Sequence, residues 1–220
     1  MEYNYLKEPL EKYIEQVSAK IPCPGGGSVS ILSMALANAL ILMVCNFSVE
    51  SKKIKEESRK ISREVFNKSS EIQPVLNRSI EEDSIIYQTI QDAMRNLKKN
   101  PEKTEEYKDA LIRSINLHMK MLHYCQKMLE WNLQLIEHSN PYLISDIGVS
   151  SSLIEGAVRA SRVNLLVNLC EIEDQIYITN EIKKIEEISL NLIDKAQEIT
   201  SKIENKMMMG KNREPEKEKK

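Results

Sequence analysis

Residues 22–28, Pro-Cys-Pro-Gly-Gly-Gly-Ser, are the part of the sequence whose types and spacing most readily suggest chemistry. Three consecutive glycines let the backbone approach a ligand closely and leave amide N–H groups exposed. If a helix starts here, its partial positive charge favours an anion or an electron-rich heteroatom. The spacing matches neither the dinucleotide-binding pattern nor the P-loop. The segment is therefore either a binding loop or a tight turn between helices.

Two carboxylates are candidates for a group that accepts and returns a proton. Asp146 lies beside Ser145 and close to Gly148, where it could cap a helix or act as a general base. Asp83 ends the acidic run of residues 81–83, and such a run is usually a solvated helix face.

Amide and imidazole side chains form a third group of candidates. Asn164 and Asn168 are four residues apart, on one helix face within an apolar run. Buried amides need partners, so bracing of the fold and ligand contact are both open. His118 lies on an apolar stripe and is interpreted as a core histidine. The spacings of the three histidines do not support a Ser/His/Asp triad.

Composition limits the class of protein. The 220 residues carry a formal net charge of −2, which argues against a nucleic-acid binder. The four cysteines include no CxxC pair, so we expect reduced thiols in a cytoplasmic protein and no metal site. The charged, amphipathic N-terminal residues do not resemble a secretory signal. We expect one domain over residues 1–209 and a charged, disordered tail over 210–220.

The scarcity of glycine and proline predicts an all-α bundle of about five to six long helices. The predicted helices cover residues 5–20, 28–47, 50–96 with a kink at Pro74, 104–138 and 145–170, and a last helix follows. Ser28, Thr104 and either Ser145 or Asp146 are the expected helix caps. The last helix carries apolar residues at four-three spacing from Ile178 to Ile203, which predicts a seam for another helix.

The predicted helix at 28–47 is apolar on every face. Such a run could span a membrane, or it could form the centre of a bundle or a subunit interface. Several polar residues interrupt it and no second such run exists, so we favour the buried helix.

Two patterns, taken together, resemble a known family. Residues 24–28 open an Ala- and Leu-rich helix with Met43 and Val44 near its end. An Asn-Pro at 140–141 is followed by Ser-Asp-x-Gly-Val at 145–149 and then by Asn164 and Asn168. Over about residues 5–205 the chain resembles the formiminotetrahydrofolate cyclodeaminase / methenyltetrahydrofolate cyclohydrolase family. A weaker match is the acidic pair Glu82-Asp83, with the aromatic residue Tyr87 four positions after Asp83.

The resemblance implies an all-α homodimer with a tetrahydrofolate derivative bound near the subunit interface and no further cofactor. From the charge balance and the interrupted apolar run we expect neither a nucleic-acid nor a membrane partner. It implies Asp146 as the first acid/base candidate and Asp83 as the second. The implied substrate-binding residues are Pro24, Gly25, Gly26, Gly27, Ser28, Ser145, Gly148, Arg159, Asn164 and Asn168.

Two enzymatic reactions fit the resemblance. We expect conversion of 5-formimino-tetrahydrofolate to 5,10-methenyl-tetrahydrofolate with release of ammonia, and the alternative is hydrolysis of the methenyl compound to 10-formyl-tetrahydrofolate. The chain departs from the family pattern at Pro74, at Tyr124-Cys125 and at serines 150–152, where alanines are usual. These departures motivate a third hypothesis, a non-catalytic scaffold with the same fold.

Overall fold

The computed structural model describes residues 4–211, and in this range the chain forms helices and no strands. The α-helices are α1 Leu10–Ser18, α2 Gly26–Glu50, α3 Glu56–Lys99, α4 Thr104–His138, α5 Ile144–Leu169 and α6 Gln175–Lys211. Short 3-10 turns at Tyr5–Lys7, Pro101–Lys103 and Pro141–Leu143 precede α1, α4 and α5. The prediction of an all-α bundle is confirmed.

Helix α2 packs mainly against α3 and α5 and keeps one face exposed. Helix α4 contacts α3, α5 and α6, and α6 packs mainly against α5. Within the described residues α2 is the one helix long and apolar enough to cross a membrane, and 56% of its most apolar window is buried in the fold. The interpretation of residues 28–47 as a buried helix agrees with the packing of α2 against α3 and α5.

The core follows the predicted apolar patterns closely. Helix α4 carries two apolar stripes, one from Leu111 to Ile136 and one from Leu117 to Leu135, and both are buried except at Tyr124, which is half-buried. The α6 seam from Ile178 to Ile203 is buried apart from half-buried Ile182, and it packs against α5 and α4. The serines that replace the usual alanines have a partner, since Asn132 Nδ2 donates to Ser150 Oγ and Ser151 Oγ, both at 3.0 Å.

The predicted helix at residues 5–20 is wrong in its first part. Pro9 has φ −54° and ψ 141°, and Glu8 before it is extended, so the 3-10 turn cannot continue into α1. Helix α3 begins at Glu56 rather than Glu50, because residues 51–55 form a turn. It runs through the exposed Pro74 without a break in the helix.

The expected caps are also different. Helix α2 begins at Gly26 after Gly25, so Ser28 lies inside its first turn. Thr104 lies inside α4, and Ser145 and Asp146 lie inside α5. The capping hydrogen bonds belong to the Asn-Pro turns before them, where Asn100 Oδ1 accepts from the Glu102 amide and Asn140 Oδ1 accepts from the Tyr142 amide, each at 3.1 Å. The expected tail begins at Gly210, which is helical, and residues 212–220 lie outside the described residues.

Candidate functional site

A cavity of about 310 Å³ lies where the start of α2 meets the middle of α3, the middle of α4 and the last turns of α5. The glycine loop forms one wall, and mostly polar side chains of the other three helices form the rest. Its lining residues are Pro22, Cys23, Gly25, Gly26, Gly27, Asp83, Tyr87, Ile90, Ser114, His118, Asn164, Val167 and Asn168.

Asp83 and His118 form a carboxylate–imidazole pair in this cavity. The Nε2 atom of His118 lies 3.2 Å from Oδ1 of Asp83. Asp83 keeps 13% of its side chain exposed, whereas His118 keeps 1%. The carboxylate is therefore the member of the pair that a bound molecule can touch, and the imidazole lies behind it.

The first turn of α2 lines the same cavity through Gly26 and Gly27. The first four N–H groups of a helix have no partner inside the helix, and they carry partial positive charge. Gly27 lies so close to Asp83 that a Cβ atom at position 27 would fall 2.6 Å from Oδ2. Glycine is required here by contact, since no described glycine has a positive φ.

The two asparagines of α5 have different surroundings. Asn168 Nδ2 donates to Ser114 Oγ at 2.9 Å and to the Asn164 carbonyl at 3.0 Å, which braces α5 against α4. Asn164 faces the loop, since its Oδ1 atom would lie 3.6 Å from a Cβ atom on Gly26. Asn168 therefore braces the fold, whereas the side-chain amide of Asn164 is available to a ligand.

Two of the predicted loop residues do not line the cavity. Pro24 is buried after a cis peptide bond with Cys23. Ser28 is fully buried, and its hydroxyl lies 3.0 Å from the hydroxyl of Tyr13. The predicted binding loop is thus reduced to its three glycines and the residues just before Pro24.

The second predicted constellation lies elsewhere in the chain. Asp146 is 18 residues before Asn164 on the same helix, a distance of about 27 Å along the axis. Ser145 and Gly148 face α6, where Gly148 packs close to Ile203, and Arg159 is exposed and paired with Glu155 at 2.9 Å. Within one chain these residues do not join the glycine loop, because they occupy other parts of α5.

His118 lines the cavity, and the sequence analysis did not include it among the candidate site residues. It was assigned to the core because it lies on an apolar stripe. A usable signal was present: Asp83 is 17 residues before Asn100, and His118 is 17 residues after Pro101. An antiparallel helical hairpin about that Asn-Pro turn places the two side chains opposite each other.

Larger hollows of about 600 and 720 Å³ exist at the α3–α4 turn and at the end of α6. The first is lined by Asp92, Glu106, Asp109 and Arg113 among others, and the second by Lys202, Lys206 and two methionines among others. Neither of them, nor the hollows of about 410 and 380 Å³ beside Lys120 and Gly148, contains a buried carboxylate–imidazole pair, so size does not select the site here.

Comparison with known sequences identifies the family of this chain. The family described as formiminotransferase-cyclodeaminase matches residues 9–187, which include every residue that lines the cavity. The chain belongs to this family. The prediction of the family is therefore confirmed, and with it the prediction of an enzyme of the cyclodeaminase or cyclohydrolase kind.

Relatives of both kinds occur. The chain is 24% identical over 184 residues to a methenyltetrahydrofolate cyclohydrolase of Methylorubrum extorquens, covering 81% of this chain and 88% of the relative. It is 26% identical over 178 residues to the formimidoyltransferase-cyclodeaminase of Gallus gallus, covering 78% of this chain and 32% of that protein. The chain thus spans about a third of the bifunctional relative.

A solved structure has the same fold. The formiminotetrahydrofolate cyclodeaminase of Thermotoga maritima superposes with a TM-score of 0.78 at 22% identity. The match covers 91% of this chain and 99% of the Thermotoga chain.

Proposed function

We propose that this protein is a one-carbon folate enzyme that acts on the carbon held between N5 and N10 of tetrahydrofolate, with Asp83 as its acid/base group. The observation that carries the proposal is the Asp83–His118 pair facing the glycine-lined start of α2. Family membership supports the substrate class.

The first candidate reaction is cyclodeamination of 5-formimino-tetrahydrofolate, the reaction named for the Thermotoga protein and, in part, for the chicken one. N10 attacks the carbon of the protonated formimino group, and a tetrahedral carbon forms between N5 and N10. The Asp83 carboxylate takes the proton from N10 and returns it to the amino nitrogen. The carbon–nitrogen bond then breaks, ammonia leaves, and the 5,10-methenyl cation remains. General acid–base catalysis of this kind contributes typically about 10²–10⁴-fold.

The surrounding groups have distinct roles in this proposal. His118 is a positioning residue, because its ring holds one carboxylate oxygen and leaves the other for the substrate. The amides of Gly26 and Gly27 face electron-rich atoms of the substrate. Asn164 offers an amide to the pterin ring. Asp146, Ser145, Gly148 and Arg159 have no part in this site within one chain.

The second candidate is hydrolysis of 5,10-methenyl-tetrahydrofolate. One observation favours it: the Methylorubrum cyclohydrolase matches this chain over 88% of its own length. Water attacks the methenyl carbon, Asp83 takes a proton from that water, and protonated Asp83 donates to N5 as the ring opens. The remaining hydroxyl proton passes to solvent, which leaves the neutral 10-formyl compound. Both reactions pass through a tetrahedral carbon, so one constellation can serve either.

The family resemblance led us to expect a homodimer, and we propose that its interface is the outer face of α2 and α5. Large apolar side chains are exposed along both helices: Val29, Leu36 and Phe47 on α2, and Val149, Val163 and Val167 on α5. Gly26 faces Asn164 across the two antiparallel helices. With 100° of rotation per residue, the exposed side chains of each helix lie about 60° to 100° around its axis from the Gly26–Asn164 contact. Because the two helices are antiparallel, both sets lie on the same side of the helix pair. Apolar patches of this kind mark association surfaces.

Ultraviolet absorbance distinguishes the candidates with purified protein. Appearance of the methenyl chromophore from 5-formimino-tetrahydrofolate, with release of ammonia, supports the cyclodeaminase. Loss of that chromophore from 5,10-methenyl-tetrahydrofolate above the buffer rate supports the cyclohydrolase. No change with either folate, in a protein that is folded by circular dichroism, would reject the proposal and favour the non-catalytic scaffold.

A further inference from the structure

The N-terminal arm, defined as residues 5–18, is attached to the bundle at few points. In its 3-10 turn and in α1 the buried residues are Tyr5 and Tyr13. Leu6, Leu10, Ile14 and Val17 of the same arm are exposed. The two buried tyrosines therefore provide its main attachment.

Both tyrosines reach serines that adjoin the site. The Tyr5 hydroxyl donates to Ser84 Oγ at 3.0 Å, and Ser84 directly follows Asp83 on α3. The Tyr13 hydroxyl lies 3.0 Å from Ser28 Oγ, and Ser28 directly follows Gly27 on α2. The arm thus contacts the two helices that bring Gly27 and Asp83 together.

The two attachments behave as one unit. The rings of Tyr5 and Tyr13 pack edge to face, with centroids 5.3 Å apart and an interplanar angle of 74°. Ser84 receives a second contact from the segment after α1, since the Cys23 thiol lies 3.6 Å from its carbonyl oxygen. Burial raises the pKa of Tyr13, its hydrogen bond with Ser28 opposes that increase, and the charge of Asp83 adds to it. The Tyr13 hydroxyl is therefore within electrostatic reach of the carboxylate.

We propose that the N-terminal arm is a strap that holds the first turn of α2 and the Asp83 turn of α3 at their working separation, with Tyr5 and Tyr13 as positioning residues. The inference rests on the proposed function only for its effect on turnover. The physical reason is that each hydroxyl joins the arm to a residue adjacent in sequence to one that lines the cavity. Loss of a hydroxyl frees one wall while leaving the aromatic packing in place.

The test uses the full chain with Tyr5→Phe, Tyr13→Phe, Ser28→Ala and Ser84→Ala. Each variant should lower kcat by about three- to tenfold with a smaller change in KM, the size of effect expected for one hydrogen bond. In the double variant Tyr13→Phe/Ser28→Ala the loss should match that of one single variant. Tyr142→Phe is the matched control, because Tyr142 is 87% exposed in another part of the chain.

A second measurement does not depend on turnover. Hydrogen–deuterium exchange should rise at residues 26–30 in Tyr13→Phe and at residues 82–86 in Tyr5→Phe. If the wild type converts neither folate, the proposed function fails, and the exchange result still decides the strap. Unchanged exchange at both segments would overturn the strap, as would a lower melting temperature accompanied by wild-type kcat.

Discussion

Gly27 of α2 and Asp83 of α3 are in such close contact that any β-carbon at position 27 would overlap the carboxylate. The absence of a side chain at Gly27 therefore sets the position of Asp83, and with it the hydrogen bond between Asp83 and His118. The start of α2 and the Asp83 carboxylate share one wall of the cavity as a result.

Replacement of Gly27 by alanine should abolish most of the activity with little loss of stability. The new methyl group pushes the flexible end of Asp83 aside and breaks its geometry with His118. Ser201→Ala is the control, because Ser201 is exposed on α6, outside the cavity and outside the α2–α5 face. That variant should change the free energy of unfolding by less than about 1 kcal/mol and keep wild-type turnover. Denaturant titration and the absorbance assay measure both quantities.

Asp83→Asn should lower kcat by about 10²-fold or more, since the amide cannot accept and return a proton. Asp146→Asn, at the far end of α5, should retain turnover. Asp92→Asn is an isosteric control on α3, where Asp92 is largely exposed and lies 3.5 Å from Arg95. Steady-state kinetics on folded variants decide the assignment. Loss of activity in Asp146→Asn with full activity in Asp83→Asn would reverse it.

Substitution of His118 should separate positioning from bulk packing. Phenylalanine fills the buried space but offers no N–H to Asp83, so kcat should fall by about tenfold, the larger end of what one hydrogen bond to a charged group contributes. Asparagine can donate a hydrogen bond to the carboxylate and should restore part of the loss despite its smaller volume. Equal activity of both variants and the wild type would remove His118 from the site.

The proposed interface predicts that Leu36→Glu and Val163→Glu each convert a dimer to a monomer. A charge placed in a buried apolar interface carries a large desolvation cost. Ile176→Glu is the control, since Ile176 is 78% exposed at the start of α6 and outside the α2–α5 face. Light scattering after size exclusion measures the mass. A monomeric wild type at micromolar concentration would contradict the proposed interface.

The thiols should differ sharply in reactivity at pH 8. Burial raises the pKa of Cys45 and of Cys125 from 9.0 to about 12, so both remain protonated and inert in the folded protein. Cys170 is exposed and should react first with a chromogenic disulfide. The protonated thiols of Cys45 and Cys125 contribute to the free energy of unfolding fully below about pH 9, and this contribution is lost as pH rises toward 12. Rapid modification of Cys45 or Cys125 before unfolding would contradict the buried placement.

Much of this architecture follows from local rules that a sequence carries by itself. The long helices follow from the scarcity of glycine and proline, the α6 seam follows from its four-three spacing, and the family follows from the glycine loop with the Asn-Pro and Ser-Asp-x-Gly-Val pattern. The helix starts were less accurate, because Pro9 and the Asn-Pro turns override the expected caps.

The choice of site residues required tertiary structure. A helix rises 1.5 Å per residue, so Asp146 and Asn164 lie far apart although one motif contains both. Asp83 and His118 are 35 residues apart in sequence, yet they meet because α3 and α4 form an antiparallel hairpin. The sequence alone therefore determined the helices and the family. Only the packing of α2, α3, α4 and α5 around one cavity decided which carboxylate faces the glycines.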